Sequence, residues 1–503
     1  MSKVLGRRGY TLRKKELSKK EIKQIRRDLT VKPFVHQDYG IQPAPYPIYL
    51  ESDKKLYLPR NYGLKKYGAP TKIKLDGGHD IKVAFTKKLR PNQKPIVEAF
   101  MSASKCIVGG GIISVPCGYG KTVVALHIMA QLKKKTLVVV HKSFLMNQWI
   151  DRIKFFLNDD IRIGRIQGKV IDIHNKDIVL AMLQSISMKD YPPGTFDSFG
   201  FAIFDECHHL SAEVFSRALS KLSPKYLLGL SATPKRKDGL TKVFRWFLGD
   251  MVYSIKKREV EDVDVKCIKF DATKYMDSNT YNKAIFNYRK KINMPQMINN
   301  ICSYIPRTKY IIKIMKPLLK KGRKILILSD RREQLRVLKE YLDRKNICVT
   351  GYYLGGMKQD ELKISEAADV ILATFSMASE GFDVPTLNTL ILASPKGDII
   401  QSVGRILRQR PEDRKFKPLI IDIIDTFSLF YRQSIKRRKY YEKCGYNIYD
   451  GNSTSKDFTN NTKTPSSSSQ SNSSSQSNSN SNSNSRYKKF IIPPGICLVG
   501  DID

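Results

Sequence analysis

Acidic residues are scarce in this 503-residue chain: 47 Asp and Glu stand against 89 Lys and Arg, a formal charge of +42. No apolar run approaches the roughly 18 residues a membrane-crossing helix needs, which excludes a membrane-spanning reading. The first residues, MSKVLGRRGYTLRKKELSKK, contain no apolar core of a secretion signal, so an intracellular protein is expected. The eight cysteines form no C-x-x-C pair, which excludes a zinc ribbon and argues against a disulfide framework. Nor does any long basic helix carry a bulky apolar face, which sets aside an anionic membrane surface as partner. So large a surplus of one sign self-repels unless it meets a polyanion, and nucleic acid is the natural one.

What is present changes character along the chain. Residues 1–35 form a basic stretch, either a flexible cationic arm or partly helical, since Leu17, Ile22, Ile25 and Leu29 share a rough face. Residues 36–87 turn to Pro, Tyr and Gly with short alternating runs, which predicts a small β-rich module. From 88 to 250 continuous apolar runs at 111–115, 136–140, 177–182, 200–204 and 226–230 alternate with helical stretches, the pattern of a parallel sheet covered on both faces. A less regular connector spans 251–310, with a helix expected near 294–305. A second alternating block fills 311–445, with strands expected at 324–328, 369–373, 388–392 and 418–422. Residues 451–485 are almost wholly Ser, Asn, Gln and Thr, too polar to bury a core, and read as a disordered linker before a short tail at 486–503.

Two stretches carry chemistry. In GIISVPCGYGKT (111–122) an apolar run stops at Pro116, passes Cys117, Gly118, Tyr119 and Gly120, and opens a helix at Lys121 and Thr122. Glycines there let backbone N–H groups close on phosphate oxygens at a helix N-terminus. Lys121 would then reach the β/γ-phosphates of ATP, and the Thr122 hydroxyl would hold Mg²⁺. The strict phosphate-loop pattern wants glycine at 115, where this chain has Val115. The second stretch, Asp205-Glu206-Cys207-His208, follows a strand directly, and the carboxyl ends of parallel strands are where α/β sheets bind ligands. Asp205 suits Mg²⁺ held through water, and Glu206 is the candidate general base for a water attacking the γ-phosphate. Cys117 and Cys207 flank these groups, so alkylation is expected to inhibit.

Over residues 89–410 the chain resembles the superfamily-two helicases of the D-E-x-H group. The resemblance implies two tandem RecA-like parallel-sheet domains and ATP hydrolysis with Mg²⁺. It implies that Gln93, in Leu89-Arg90-Pro91-Asn92-Gln93, bonds the adenine edge. Lys142, Ser143, Gln148 and Trp149 then grip a nucleic-acid backbone, as do Gln184 and Ser185, where Met182 stands for the family's usual Thr. Ser231 and Thr233, with His208, couple nucleotide state to that grip. In the second block Thr374 touches nucleic acid, while Gly381 and Asp383 lie at the nucleotide. Gln401, Arg405 and Arg408 resemble the arginine-finger motif. Arg405 and Arg408 lie three apart, so on a helix they would share a face and point at one triphosphate. The details lean towards the branch of XPB-like, restriction-type and poxvirus transcript-release helicases, which implies 3′-to-5′ movement.

Three readings follow. One is a DNA or RNA helicase serving the transcription or repair machinery. Another is a double-strand DNA translocase or annealing motor, which the lack of a legible strand-splitting insertion in 251–310 keeps open. The third is a non-catalytic nucleic-acid scaffold, for which only Val115 and Met182 speak. Frequent Lys, Ile and Asn point to an AT-rich genome such as that of a large DNA virus, with the protein in nucleus, cytoplasm or virion. The oligomeric state is not legible.

Overall fold

The continuous apolar runs become the inner strands of two large sheets. The computed structural model describes the chain except residues 1, 35–43, 76, 108, 117, 208–211, 233–238, 256–260, 276–277, 289, 291, 380–381, 383, 410 and 452–503. The Ser/Asn-rich linker, apart from Gly451, and the tail therefore lie outside the described residues. Among those described, the first sheet has the edge-to-edge order Val170–Asp172, Ile163–Gln167, Ile178–Met182, Thr136–Val140, Phe201–Phe204, Tyr226–Ser231, Gly110–Ser114, Met251–Ser254. Its pairings are parallel except at the Val170–Asp172 edge. Successive side chains point to opposite faces: Leu137, Val139, Ala202 and Phe204 enter one core, Val138, Val140, Phe201 and Ile203 the other. Both faces are thus covered, as the unbroken apolar runs require.

The second sheet runs Thr350–Tyr353, Val370–Thr374, Ile325–Ser329, Thr389–Leu392, Leu419–Asp425, Asp264–Phe270, Asn447–Asp450, all in parallel. Two RecA-like lobes of one α/β chain result. Phe144 packs against the cores of both.

The expected division of the N-terminal region is not how the chain folds. Lys3–Gly6 and Gly9–Arg13 form a hairpin that joins Leu50–Glu51, Lys55–Leu58 and Lys72–Ile73 in one five-stranded sheet. Register pairs Tyr10 with Leu58 and Leu12 with Leu56, all four buried. The dense charge around them hides that alternation in the sequence. The helix Lys19–Asp28 sits between strands of this module, with Ser18 and Glu21 completing a capping box. The module continues the core of the first lobe and pins it with Arg60, whose buried guanidinium donates to the carbonyls of Pro224 (3.0 Å) and Lys225 (3.4 Å).

Residues 251–310, expected as a less regular connector with a helix near 294–305, contribute elements to both sheets. Met251–Ser254 finishes the first sheet, Asp264–Phe270 enters the second, and Met294–Ser303 and Ile305–Lys320 are helices. The second lobe also extends past 445, through strand Asn447–Asp450. No described helix is long and apolar enough to cross a membrane.

Helix Ile305–Lys320 is fixed to the second sheet by an ion pair removed from water. Arg307 Nε and Nη2 donate to the Asp425 carboxylate at 2.8 and 3.0 Å, both side chains are fully buried, and the Tyr281 hydroxyl donates to the same carboxylate. Arg307→Met leaves the Asp425 charge in the core with only the Tyr281 hydroxyl and no counter-charge, which costs about 3–5 kcal/mol. Urea unfolding of the second-lobe transition measures this, and a loss below about 1 kcal/mol would contradict the pairing.

Candidate nucleotide site

The strand order sets the site's dimensions. Gly110–Ser114 and Phe201–Phe204 are separated by one strand, Tyr226–Ser231, so their carboxyl ends stand about 10 Å apart at two strand spacings. A lysine and a glutamate reaching towards each other span that distance.

Val115, where the strict pattern has glycine, directly follows the strand: its side chain is buried in the core, and its N–H donates to the Ser231 carbonyl at 3.1 Å. Ser231 is itself buried, paired with Ser114 at the strand end. The turn proper begins at Pro116, and Gly118 and Gly120 take left-handed backbone angles, φ +91° and +77°. A Cβ on Gly120 would also stand 2.4 Å from Gln93 Nε2 and displace that amide, while the positive φ itself favours glycine. The helix Lys121–Leu132 follows, with its first backbone bonds open at the turn.

Gln93 does more locally than the resemblance implies. It is buried, its Nε2 donates to the Tyr119 carbonyl at 3.0 Å, and its Oε1 accepts from Arg90 N–H at 3.0 Å. Each end of the amide bonds backbone, so Gln93 braces the phosphate turn from within its own lobe.

Lys121 Nζ lies 3.3 Å from Glu206 Oε1, with both side chains largely sheltered. Asp205 is buried just past its strand, its backbone N–H on the Val139 carbonyl at 3.1 Å. Its Oδ1 accepts Glu206 N–H at 2.9 Å and its Oδ2 accepts the indole N–H of Trp149, also at 2.9 Å. Burial first, then the neighbouring Glu206 charge, pushes the Asp205 carboxyl up to about 6, while the Trp149 bond and Lys121 pull the other way. Glu206 adopts φ +46°, a left-handed backbone uncommon outside glycine that costs of order 1–3 kcal/mol and persists only where surroundings impose it. The donor set of Asp205, Glu206 and the half-buried Thr122 offers hard oxygens, which suit Mg²⁺. Among the described residues no cluster of three or more His, Cys, Asp or Glu could hold a metal alone.

Trp149 was expected on the nucleic-acid side. It is 2% exposed and faces the acidic turn from helix Ser143–Phe156. Spacing alone could not reveal this, because the bond crosses from a helix to a strand end 56 residues later. Ser185 is also buried, its hydroxyl accepting Gly168 N–H at 3.1 Å, so it holds the hairpin of Ile163–Gln167 and Val170–Asp172. Lys142, Ser143 and Gln148 do remain partly or fully exposed at the start of their helix, and Gln184 joins them by donating to the His141 carbonyl at 3.2 Å. Cys207 is buried, which shields it from alkylation. Cys117, His208, Thr233, Gly381 and Asp383 lie outside the described residues.

In the second lobe Thr374 ends strand Val370–Thr374, its hydroxyl 3.2 Å from that of Ser376. The expected pairing of Arg405 and Arg408 on one helical face fails for a structural reason. Gln401 lies in the one-turn helix Ile400–Val403, Arg405 in the tighter turn Gly404–Ile406, and Arg408 beyond both. Arg405 is 4% exposed and donates to the carbonyls of Ala378 (2.5 Å) and Phe382 (2.6 Å). It clamps its own lobe, and Arg408, half-buried, is the arginine not committed to that clamp.

A phosphate turn and an acidic strand end on the first of two parallel sheets define a tandem RecA-like ATPase core. Residues 86–236 match the family described as the type III restriction enzyme res subunit, and 307–410 match the helicase conserved C-terminal domain. A protein of Acanthamoeba polyphaga mimivirus that carries the name of an ATP-dependent RNA helicase, L396, is 36% identical over 88% of this chain and 86% of its own length. An African swine fever virus protein also named for an ATP-dependent RNA helicase, QP509L, is 28% identical over 66% of this chain and 68% of its own. Helicase D10 of Escherichia phage T5 is 29% identical over 71% and 76%. The chain belongs to the superfamily-two helicases, ATP-dependent enzymes, in the branch with restriction-type and viral members.

Trp149→Phe keeps the packing and removes one hydrogen bond to a carboxylate, worth about 1.5–3 kcal/mol. We expect kcat for ATP hydrolysis to fall roughly 10- to 100-fold with ATP affinity little changed. Steady-state kinetics beside nucleotide-binding titrations check this, and an unchanged kcat would remove Trp149 from the site.

Proposed function

We propose that this helicase couples Mg²⁺-ATP hydrolysis to movement along a nucleic-acid strand, acting in transcription inside the cell or virion that holds it. The observation that carries the reading is the Lys121–Glu206 contact at 3.3 Å beside the Trp149-bound Asp205. In this reading the backbone of 116–120 and Lys121 hold the triphosphate, Thr122 and Asp205 hold Mg²⁺, and Glu206 takes the proton of the attacking water. The metal would neutralise charge on the phosphates. Arg408 would approach from the second lobe when the lobes close. Lys142, Ser143, Gln148, Gln184 and Thr374 would grip the strand.

The names of the mimivirus and swine fever virus relatives favour RNA as the strand, and the basic surplus of +42 supports a polyanionic track. A double-strand DNA translocase is the second reading. It is favoured by the use of 264–320 for a strand and helices of the second lobe, which leaves little chain there for a separating wedge.

Glu206→Gln should bind ATP and strand yet nearly abolish turnover, because the base is lost while the shape is kept. ATPase assays with RNA, single-stranded DNA and duplex DNA should show stimulation that is greatest with RNA. Stimulation by duplex alone would favour the translocase, and a rate indifferent to both nucleic acid and Glu206→Gln would contradict the proposal.

A further inference from the structure

Helix Ile305–Lys320 contains no acidic residue and carries Lys309, Lys313, Lys316 and Lys320, all exposed. Spacings of four, three and four residues put the four on one face, about 16 Å from end to end. With Ile312 and with Tyr341 of the neighbouring helix Arg332–Arg344 they line a groove of about 430 Å³. That volume lies in the range of sites for small ligands, roughly 300–1,000 Å³.

The charges of this groove are not answered locally. Among the described residues none of the four lysines has an ion pair. The acidic groups on the adjoining helix are taken: Glu333 and Glu340 by Arg336, Asp343 by Lys339. Lys316 Nζ stands 5.8 Å from the centre of the half-buried Tyr341 ring. Cations spaced along a groove with an aromatic face among them are the ingredients of single-strand binding, phosphates on the lysines and a base on the ring.

We propose that this groove is a second strand-binding site, outside the motifs that serve the nucleotide, which takes a single-stranded stretch of the nucleic acid on which the motor acts. The site rests on the functional reading above, and the charge decides its occupant: a phosphate backbone complements four uncompensated lysines.

The test is anisotropy of a labelled oligo-uridine strand against the full chain across a salt series. Lys313→Ala with Lys316→Ala should lower the log–log salt slope by about 1.4, at about 0.7 per single-strand phosphate contact. The matching Arg pair should keep the slope. Tyr341→Ala should weaken binding roughly tenfold with the slope nearly intact, since a stacked base contributes no counterion release. ATPase without nucleic acid should stay at the wild-type rate in all three. If the wild type binds the strand and is stimulated by it while the alanine pair keeps its slope, the groove is overturned alone, and its lysines then serve an acidic protein or nothing. If the wild type neither binds nor is stimulated, both the groove and the motor reading fall.

Discussion

The indole N–H of Trp149 on the Asp205 carboxylate is the contact around which the nucleotide site is arranged. A carboxylate buried at a strand end is costly unless it is bonded. Here its two oxygens are shared between a tryptophan from the adjoining helix and the backbone of Glu206. The second bond helps hold Glu206 in a left-handed backbone, and that backbone turns its side chain towards Lys121. Site geometry, backbone strain and sheet order are thus one arrangement: moving Asp205 would release Glu206, and releasing Glu206 would unpair Lys121.

The second lobe is braced by the opposite strategy. Three of its arginines are spent inward: Arg307 on Asp425, Arg437 on Asp422, and Arg405 on the carbonyls of Ala378 and Phe382. Burying a charge with a fully satisfied partner fixes one packing at little net gain in stability. The consequence for a motor is division of labour. One arginine of the motif, Arg405, is held inside its own lobe, while Arg408 lies beyond that clamp.

Much of this was legible in the sequence, for reasons that differ by element. The apolar runs at 136–140 and 226–230 could only be strands buried on both faces, and the glycines around Lys121 could only be a turn. Edge strands such as Val170–Asp172 and Asn447–Asp450 were not legible, because half-exposed strands mix polar and apolar residues. The hairpin of Lys3–Gly6 and Gly9–Arg13 was masked by the charges around it. Trp149, Gln93, Ser185 and Arg405 stand in motifs that the sequence displays, but the groups they bond within the fold are not legible there. Each bonds a group far away in the chain or a backbone atom, and a motif names residue types without naming what they touch. The arginine pair failed on a narrower point, since an i, i+3 argument assumes a continuous helix and this one tightens and ends at Ile406.

A double-mutant cycle on kcat tests the central contact most directly. If Trp149 acts through Asp205, then Trp149→Phe costs nothing further once Asp205→Ala has removed both acceptor oxygens, and the coupling equals the whole effect of the tryptophan change. Losses that simply add would mean that the two residues act independently, and the arrangement described here would be wrong.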